Sequence, residues 1–224
     1  MTPDPRAQSG PLPEPVPLRA ALRLIVITDT IQAGSRGVVP TVQAALEGGA
    51  RGIQLRMKGA SAKEMEELGR ELRRISRAYG ARLFVNDRAD VAAAISADGI
   101  HVGPNDPPVR TLRRAFPDLW IGASTDDPDR ARALEAEGAD YLGCGAVFGT
   151  TSKDVGGEAI GLERLRQVVR AVSIPVVGIG GITAENSSPI PDTGAAGVAV
   201  IGAVMAAADP RAAAIQLLAP WQTS

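Results

Sequence analysis

The sequence predicts a single domain of the α/β class, a (β/α)8 or TIM barrel. Short apolar runs alternate with helical stretches, which is typical of a parallel sheet covered on both faces. The eight runs are LIVIT (24–28), GIQL (52–55), RLFV (82–85), GIHV (99–102), WIGAS (120–124), YLGCG (141–145), VVGIG (176–180) and GVAVIG (197–202). Eight β/α units in about 200 residues fit a closed barrel. An open doubly wound sheet usually has fewer strands, and no G-x-G-x-x-G turn follows the first run.

The stretches between the runs carry ordinary helix signals. Ser61 followed by Glu64 predicts a capping box. The apolar residues that follow at helical spacing are Met65, Leu68, Leu72, Ile75 and Tyr79. They form one stripe for packing on the sheet. The stretch DDPDRARALEAEGAD (126–140) opens with acids and a proline and reaches a helix stop at Gly138.

Composition excludes several classes of function. The net charge of −1 and the 3% aromatic content argue against a nucleic-acid or membrane-surface protein. The sequence has one cysteine, so no internal disulfide forms and a reducing, cytoplasmic location is expected. No apolar run is long enough to span a membrane. No oligomeric state is predicted.

The first residues differ in composition from the rest. Six prolines fall within residues 1–17, with few large apolar side chains and no signal-peptide pattern. We therefore expect a Pro-rich mobile tail over residues 1–21 and a catalytic barrel domain over residues 22–219.

In a parallel barrel the chemistry lies at the C-terminal ends of the strands, so the residues after each run are the candidates. Gln54, Arg56 and Lys58 follow the second run at alternate positions, which places an amide and two cations on one side. This set fits a phosphate or diphosphate, although a solvated charged turn would show the same spacing. The chain has three lysines, and two of them, Lys58 and Lys153, fall at strand ends.

Acids follow the third and fourth runs. Asn86 and Asp87 follow one, and Asp106 follows the other. Neighbouring strand ends lie about 5 Å apart, so the two carboxylates could share one Mg²⁺, which prefers oxygen ligands. The alternative is that Asp87 pairs with Arg88 or another cation, and that Asp106 only holds the turn before Pro107.

Three further side chains allow two interpretations. His101 is the only histidine and lies inside a strand pattern, which favours a core or barrel-lining side chain over a catalytic base. Ser124 either donates a hydrogen bond into the site or caps the following helix. Cys144 lies in an apolar strand, as small buried residues do.

The last three loops favour an anionic ligand. FGTTSKDVGGEAIG (148–161) is rich in hydroxyl groups and carries Lys153, which suits a loop that closes over an anion. GIGGIT (178–183) and VIGAV (200–204) place glycines where backbone N–H groups can approach a phosphate. Phosphate binding by the loops after strands seven and eight is frequent in such barrels.

Taken together, these stretches resemble the thiamine-phosphate synthase family from about Leu22 to Pro210. The motifs are VITD, QLRMKG, VNDRADVA, ADGIHVGPND, IGAS, GADYLGCGAVFGTTSK, PVVGIGGIT and GAAGVAVIGAV. The resemblance implies a transferase of thiamine biosynthesis. It would join 4-amino-2-methyl-5-(diphosphooxymethyl)pyrimidine to a thiazole phosphate (hydroxyethylthiazole phosphate or its carboxylated form), giving thiamine phosphate and diphosphate.

The resemblance also implies a role for each matching residue. The pyrimidine diphosphate would be held by Gln54, Arg56, Lys58, Asn86 and Lys153, and Mg²⁺ by Asp87 and Asp106. Ser124 would contact the pyrimidine or its leaving group. The thiazole phosphate would be held by Thr150, Thr151, Ser152, Gly181, Ile201 and Gly202. Arg56, Lys58, Lys153 and Ser124 would be the catalytic residues.

The chain departs from the family pattern at four positions. Met57 stands where an acid is usual, Gly149 where proline is, Ser152 where threonine is and Gly202 where serine is common. Ser152 keeps a hydroxyl and Gly202 keeps its N–H, whereas Gly149 would make its loop more mobile.

Two alternatives share these features. A thiazole tautomerase of the same superfamily would need no metal acids and would carry a histidine after strand five, where this chain has GASTDDP. A non-catalytic barrel that binds thiamine phosphates would not need both acids and a lysine loop.

Overall fold

The computed structural model describes residues 12–149 and 159–222. Within these residues, eight parallel strands close into a barrel in chain order, and β8 pairs back onto β1. The strands are β1 Leu24–Ile27, β2 Gly52–Leu55, β3 Arg82–Asn86, β4 Gly99–Val102, β5 Trp120–Ser124, β6 Tyr141–Cys144, β7 Val176–Ile179 and β8 Gly197–Val200. The predicted (β/α)8 barrel is confirmed, and each of the eight apolar runs supplies one strand.

Helices cover the outside of the barrel. They are α1 Leu18–Ala21, α2 Val38–Glu47, α3 Ala62–Ala78, α4 Ala89–Ala94, α5 Val109–Ala115, α6 Pro128–Ala136, α7 Gly161–Ala171, α8 Gly202–Met205 and α9 Pro210–Leu218. Short 3-10 turns span Gly34–Arg36, Pro191–Thr193 and Ala219–Trp221. In the part of the chain that the structure describes, no helix is both long and apolar enough to cross a membrane.

The predicted helix signals act as expected. Ser61 caps α3, and the Ser61 and Glu64 side chains each accept a hydrogen bond from the other residue's N–H. Hydrogen bonds from the Ser61 hydroxyl and N–H hold the pKa of the Glu64 carboxyl below its ordinary value. Asp127 caps α6, with Pro128 in the first turn, and Gly138 follows the helix with a φ of 100°. The capping box and the stop at Gly138 are therefore confirmed.

Aromatic rings fill the centre of the barrel. The Phe84 ring centroid lies 6.3 Å from that of Trp120 and 5.6 Å from that of Tyr141. Gly122 makes room for this packing, because a Cβ there would lie 2.1 Å from Cζ of Tyr141. Since side chains alternate along a strand, Asn86 points to the same inner side as Phe84.

The acids at the N-terminal end of the barrel are paired with arginines. Asp98 precedes β4, lies 2.5 Å from Arg73 and 2.9 Å from Arg82, and accepts a hydrogen bond from the Leu83 N–H. Asp140 precedes β6 and pairs with Arg113. Charge at this end therefore holds strands and helices together, and the candidate site lies at the opposite end.

The chain before β1 contacts the barrel earlier than predicted. The Val16 N–H donates a hydrogen bond to the Gly80 carbonyl, the Val16 carbonyl accepts one from the Arg82 side chain, and α1 already spans Leu18–Ala21. Val16 and Leu18 pack against the apolar core, which stabilises these residues against the mobility expected for residues 1–21. Residues 1–11 lie outside the described residues, so the tail remains a prediction there.

Candidate active site

The side chains at the end of β2 lie at different depths in the rim of the barrel. Gln54 is buried and lines a small internal cavity together with His101 and Tyr141. Arg56 is 8% exposed, whereas Lys58 is exposed to solvent. Met57, between them, is half-buried and packs against the apolar core. A buried guanidinium at a strand end is costly without partners, so its surroundings indicate how it is held.

Two residues at the end of β1 hold Arg56. The Thr28 hydroxyl accepts a hydrogen bond from the Arg56 N–H at 2.8 Å and donates one to the Arg56 carbonyl at 2.9 Å. The Asp29 carboxylate lies 3.6 Å from the Arg56 guanidinium and also accepts from the N–H groups of Ile31 and Gln32. Thr28 and Asp29 belong to the VITD motif, but sequence reasoning assigned them no role.

Both acids that were predicted to bind a metal are hydrogen-bonded to the end of β4. Asp87 follows β3, and its N–H donates to the carbonyl of His101 at 2.9 Å. Asp106 turns back, so that its Oδ2 accepts from the N–H of Gly103 at 2.7 Å. The turn-holding role considered for Asp106 is therefore present, and its carboxylate sits directly at the strand end. Arg88 forms its ion pair with Asp90, at 2.5 Å.

The backbone at Asp87 adopts an uncommon conformation. Its φ is 64°, in the left-handed region that non-glycine residues rarely adopt. Such outliers persist where the surroundings hold them and cluster at functional sites. Asp87 is also exposed, so a ligand at the rim can reach its carboxylate.

Ser124 points toward the barrel centre and does not cap a helix. Its Oγ lies 2.9 Å from Nε2 of His101, whose Nδ1 lies 3.1 Å from the hydroxyl of Tyr141. The capping alternative for Ser124 is wrong, because Asp127 is the N-cap of α6. His101 is 9% exposed and hydrogen-bonded at both nitrogens, as predicted for a barrel-lining side chain. Cys144 is buried, which raises the pKa of its thiol to about 12.

A cleft of about 560 Å³ opens at the rim between the ends of β4 and β8. Glycine-rich segments form one wall, namely residues 145–146 and 179–183. Residues 199–203 form a second wall, and Gly103, Pro104, Ser124, Thr125 and Asp126 lie opposite. The predicted Gly181, Ile201 and Gly202 all line this cleft, so the backbone of the last two loops faces a common space.

The loop after β7 is held in place by its neighbours. Gly181 has a φ of 64°, and a Cβ there would lie 2.4 Å from the carbonyl oxygen of Gly149. Asn186 donates from Nδ2 to the Gly181 carbonyl at 2.8 Å, and its Oδ1 accepts from the Thr183 N–H at 2.8 Å. Asn186 was not predicted, although an amide three residues beyond GIGGIT is a signal of such a turn.

The predicted site therefore divides into two regions. Gln54, Arg56, Lys58, Asn86, Asp87 and Asp106 form a charged region at the ends of β2, β3 and β4 and do not line the cleft. The cleft itself is neutral and rich in glycine, apart from Asp126. Gly103, Pro104 and Ser124 line the cleft on the side nearest to the charged region. Thr150, Thr151, Ser152 and Lys153 lie outside the described residues.

A closed parallel barrel with a cleft at the C-terminal ends of its strands defines a (β/α)8-barrel enzyme that acts on small molecules. The family model for thiamine monophosphate synthase matches residues 24–204, which include all eight strands. The chain belongs to the thiamine monophosphate synthase family.

Individual relatives agree with this assignment. A thiamine-phosphate synthase of Pyrococcus abyssi is 49% identical over 200 residues, covering 89% of this chain and 94% of the relative. One from Natronomonas pharaonis is 47% identical over 195 residues, covering 86% and 91%. The solved structure of a thiamine phosphate pyrophosphorylase from Pyrococcus furiosus has a TM-score of 0.85 and 45% identity, covering 92% of this chain and 98% of that one.

Proposed function

We propose that this chain is a transferase of thiamine biosynthesis. It transfers the pyrimidinylmethyl group of the pyrimidine diphosphate to the nitrogen of a thiazole phosphate. The products are thiamine phosphate and diphosphate. The observation that carries this proposal is the match to the thiamine monophosphate synthase family across all eight strands. The two regions of the rim support it, since one is charged and the other is a glycine-lined cleft of about 560 Å³.

The charged region is suited to the diphosphate. Gln54, Arg56, Lys58 and Asn86 offer amide and cationic donors at the ends of β2 and β3. Arg56 is held by Thr28 and Asp29, so little rearrangement is needed when it receives an anion. We assign Lys153, from the loop after β6, to the same anion.

The cleft is suited to the thiazole phosphate. Gly181 and Gly202 face it from two adjacent strand ends, and glycine lets the backbone approach a phosphate closely. We assign the phosphate to the backbone of Gly181, Ile201 and Gly202, and the thiazole ring to Thr150, Thr151 and Ser152. Ser124 lies at the side of the cleft nearest to the charged region and contacts the pyrimidine or its leaving group.

Asp87 and Asp106 fit Mg²⁺. Both offer carboxylate oxygens, and hydrogen bonds attach both to the end of β4. Among the described residues, no group of three or more Asp, Glu, His or Cys side chains forms a complete metal site. Two carboxylates suit an ion that completes its ligands with substrate phosphate oxygens. When bound, Mg²⁺ would supply positive charge that favours departure of the diphosphate.

The residues of this chain act mainly by stabilising the charge that develops during the reaction. Arg56, Lys58 and Lys153 stabilise the negative charge that grows on the diphosphate as the C–O bond breaks and its electron pair leaves with the oxygen. The electron-rich aminopyrimidine stabilises the methylene cation. The thiazole nitrogen then donates its lone pair to that carbon and forms the C–N bond. Little proton transfer is needed, which agrees with a single histidine that is buried in the barrel.

We place the protein in the cytoplasm, where a single buried thiol is stable in its reduced form. Its partners in this proposal are small-molecule substrates, without nucleic acid or membrane. The balanced charge of the chain supports this view.

The test is to incubate the full chain with both substrates and Mg²⁺, and to quantify thiamine phosphate and diphosphate. We expect equal amounts of the two products, and none when either substrate is omitted or the metal is chelated. Isomerisation of the thiazole phosphate alone would indicate a tautomerase. Tight binding of both substrates without diphosphate release would indicate a binding protein. Either result would overturn the proposal.

A further inference from the structure

A chain of three polar side chains runs from the cleft into the barrel centre. Ser124 lines the cleft, its Oγ lies 2.9 Å from Nε2 of His101, and Nδ1 of His101 lies 3.1 Å from the hydroxyl of Tyr141. Tyr141 is fully buried and His101 nearly so. Polar groups at this depth are costly unless they are hydrogen-bonded, so the direction of each bond matters.

Tyr141 determines which group donates in each hydrogen bond between these three side chains. Within the described residues, Nδ1 of His101 is the hydrogen-bonding partner of its hydroxyl. Burial raises the pKa of Tyr141 above its ordinary value, and the nearby Asp140 adds to this effect, so the phenol keeps its proton. A buried O–H group needs an acceptor, and Nδ1 provides one only when it carries no hydrogen.

The tautomer of His101 follows from this bond. A neutral imidazole with an unprotonated Nδ1 carries its hydrogen on Nε2. Nε2–H then donates to the Ser124 oxygen. Because the Ser124 oxygen accepts this hydrogen bond from the barrel side, the hydrogen of its own hydroxyl points into the cleft, where it can be donated to a ligand.

Two glycines hold the rings in this arrangement. A Cβ at Gly122 would lie 2.1 Å from Cζ of Tyr141, and one at Gly143 would lie 3.1 Å from Cε1 of His101. The strands therefore leave space for these rings and little for other orientations of them.

We propose that His101 is a positioning residue that holds the Ser124 hydroxyl as a hydrogen-bond donor toward the bound substrate, with Tyr141 setting the tautomer of the imidazole. The proposal rests on the proposed function for the identity of the substrate. Its hydrogen-bond geometry does not depend on that function, so the two can fail separately.

The first test is nuclear magnetic resonance of the untagged chain labelled with ¹⁵N-histidine. His101 is the only histidine, so its two ring nitrogens are assigned without ambiguity. We expect the tautomer with the hydrogen on Nε2, a shift of the Nε2 signal in Ser124→Ala and a shift of the Nδ1 signal in Tyr141→Phe. A hydrogen on Nδ1 at neutral pH, or an Nε2 signal unchanged in Ser124→Ala, would overturn the proposal even if the chain proved inactive.

The second test is a double-mutant cycle on kcat. We expect His101→Leu to lower kcat roughly tenfold, the size of one hydrogen bond, and His101→Gln to recover most of it through its amide donor. In the Ser124→Ala background, both changes at His101 should have no further effect. Losses that multiply across the two sites would show that His101 acts only through the fold.

A matched control measures the structural effect alone. Ile25→Val trims a side chain of the same internal cavity and leaves the three polar groups themselves unchanged. It should lower the melting temperature and leave kcat unchanged. If His101→Leu does not fold, His101→Gln and the spectroscopic test still decide the question.

Discussion

Thr28 and Arg56 exchange two hydrogen bonds where β1 and β2 end. The Thr28 hydroxyl accepts from the Arg56 N–H at 2.8 Å and donates to the Arg56 carbonyl at 2.9 Å. The pair joins two neighbouring strands directly below the charged part of the rim. It also sets the position from which the buried Arg56 side chain leaves the backbone.

We therefore expect Thr28→Val to weaken both stability and substrate binding. Valine keeps the shape of threonine but leaves the buried Arg56 N–H without its acceptor, which costs about 1–3 kcal/mol of unfolding free energy. The KM for the pyrimidine diphosphate should rise several-fold because Arg56 loses its fixed position. Thr41→Val is the control, since that hydroxyl is also buried and donates to the Gly37 carbonyl at the N-terminus of α2, not to Arg56. Equal effects of the two variants on KM would contradict the assignment.

Asp87→Ala should remove Mg²⁺-dependent turnover. The variant deletes one of the two proposed carboxylate ligands, and we expect a fall in kcat/KM of about a hundredfold or more. The measurement is the rate as a function of Mg²⁺ concentration. Asp90→Ala is the control, because Asp90 is an exposed acid three residues away that pairs with Arg88. Near-normal rates for Asp87→Ala would remove Asp87 from the metal site.

Gly181→Ala should impair use of the thiazole phosphate. Alanine is disfavoured at a φ of 64°, and its Cβ would lie 2.4 Å from the Gly149 carbonyl oxygen, so the loop must shift. We expect the KM for the thiazole phosphate to rise at least tenfold, with a smaller change for the diphosphate substrate. Gly34→Ala is the control. Its φ is 54°, but a Cβ there meets nothing within 4 Å, so only stability should change.

Cys144 should make stability fall in alkali. Burial raises the pKa of its thiol from 9.0 to about 12, so the folded state binds this proton more tightly than the unfolded state. The contribution of the buried thiol to the free energy of unfolding is complete below about pH 9 and is lost as the pH rises toward 12. Over this range the free energy of unfolding falls by up to about 1.4 kcal/mol per pH unit. Urea unfolding of wild type and Cys144→Ala across this range measures the difference in slope. Parallel curves would show that the thiol does not contribute.

Much of the barrel could be predicted because its signals are local. Each apolar run is buried on both sides, by the barrel interior and by the helices, so it reads as continuous along the chain. The capping box at Ser61 depends on residues three apart, and it formed as predicted. Strand ends mark the rim, which is why Gln54, Arg56, Asp87 and Asp106 could be selected by position alone.

The segment before β1 shows that composition alone does not fix where the chain begins to pack. Prolines in residues 1–17 predicted mobility, yet Val16 bonds Gly80 and α1 begins at Leu18. Whether such a segment packs depends on the apolar surface that the folded barrel presents to it.

The sequence by itself determined the order of eight strands, the helices between them and the polar residues that reach the rim. Only the tertiary structure decided which residues distant in the sequence contact each other. Asp29 meets Arg56 across two strands, Asn186 holds Gly181, and Tyr141 reaches Ser124 through His101. The physical reason is range, because propensity and periodicity act over a few residues, whereas these contacts are set by strand register and by which side chains fill the closed interior.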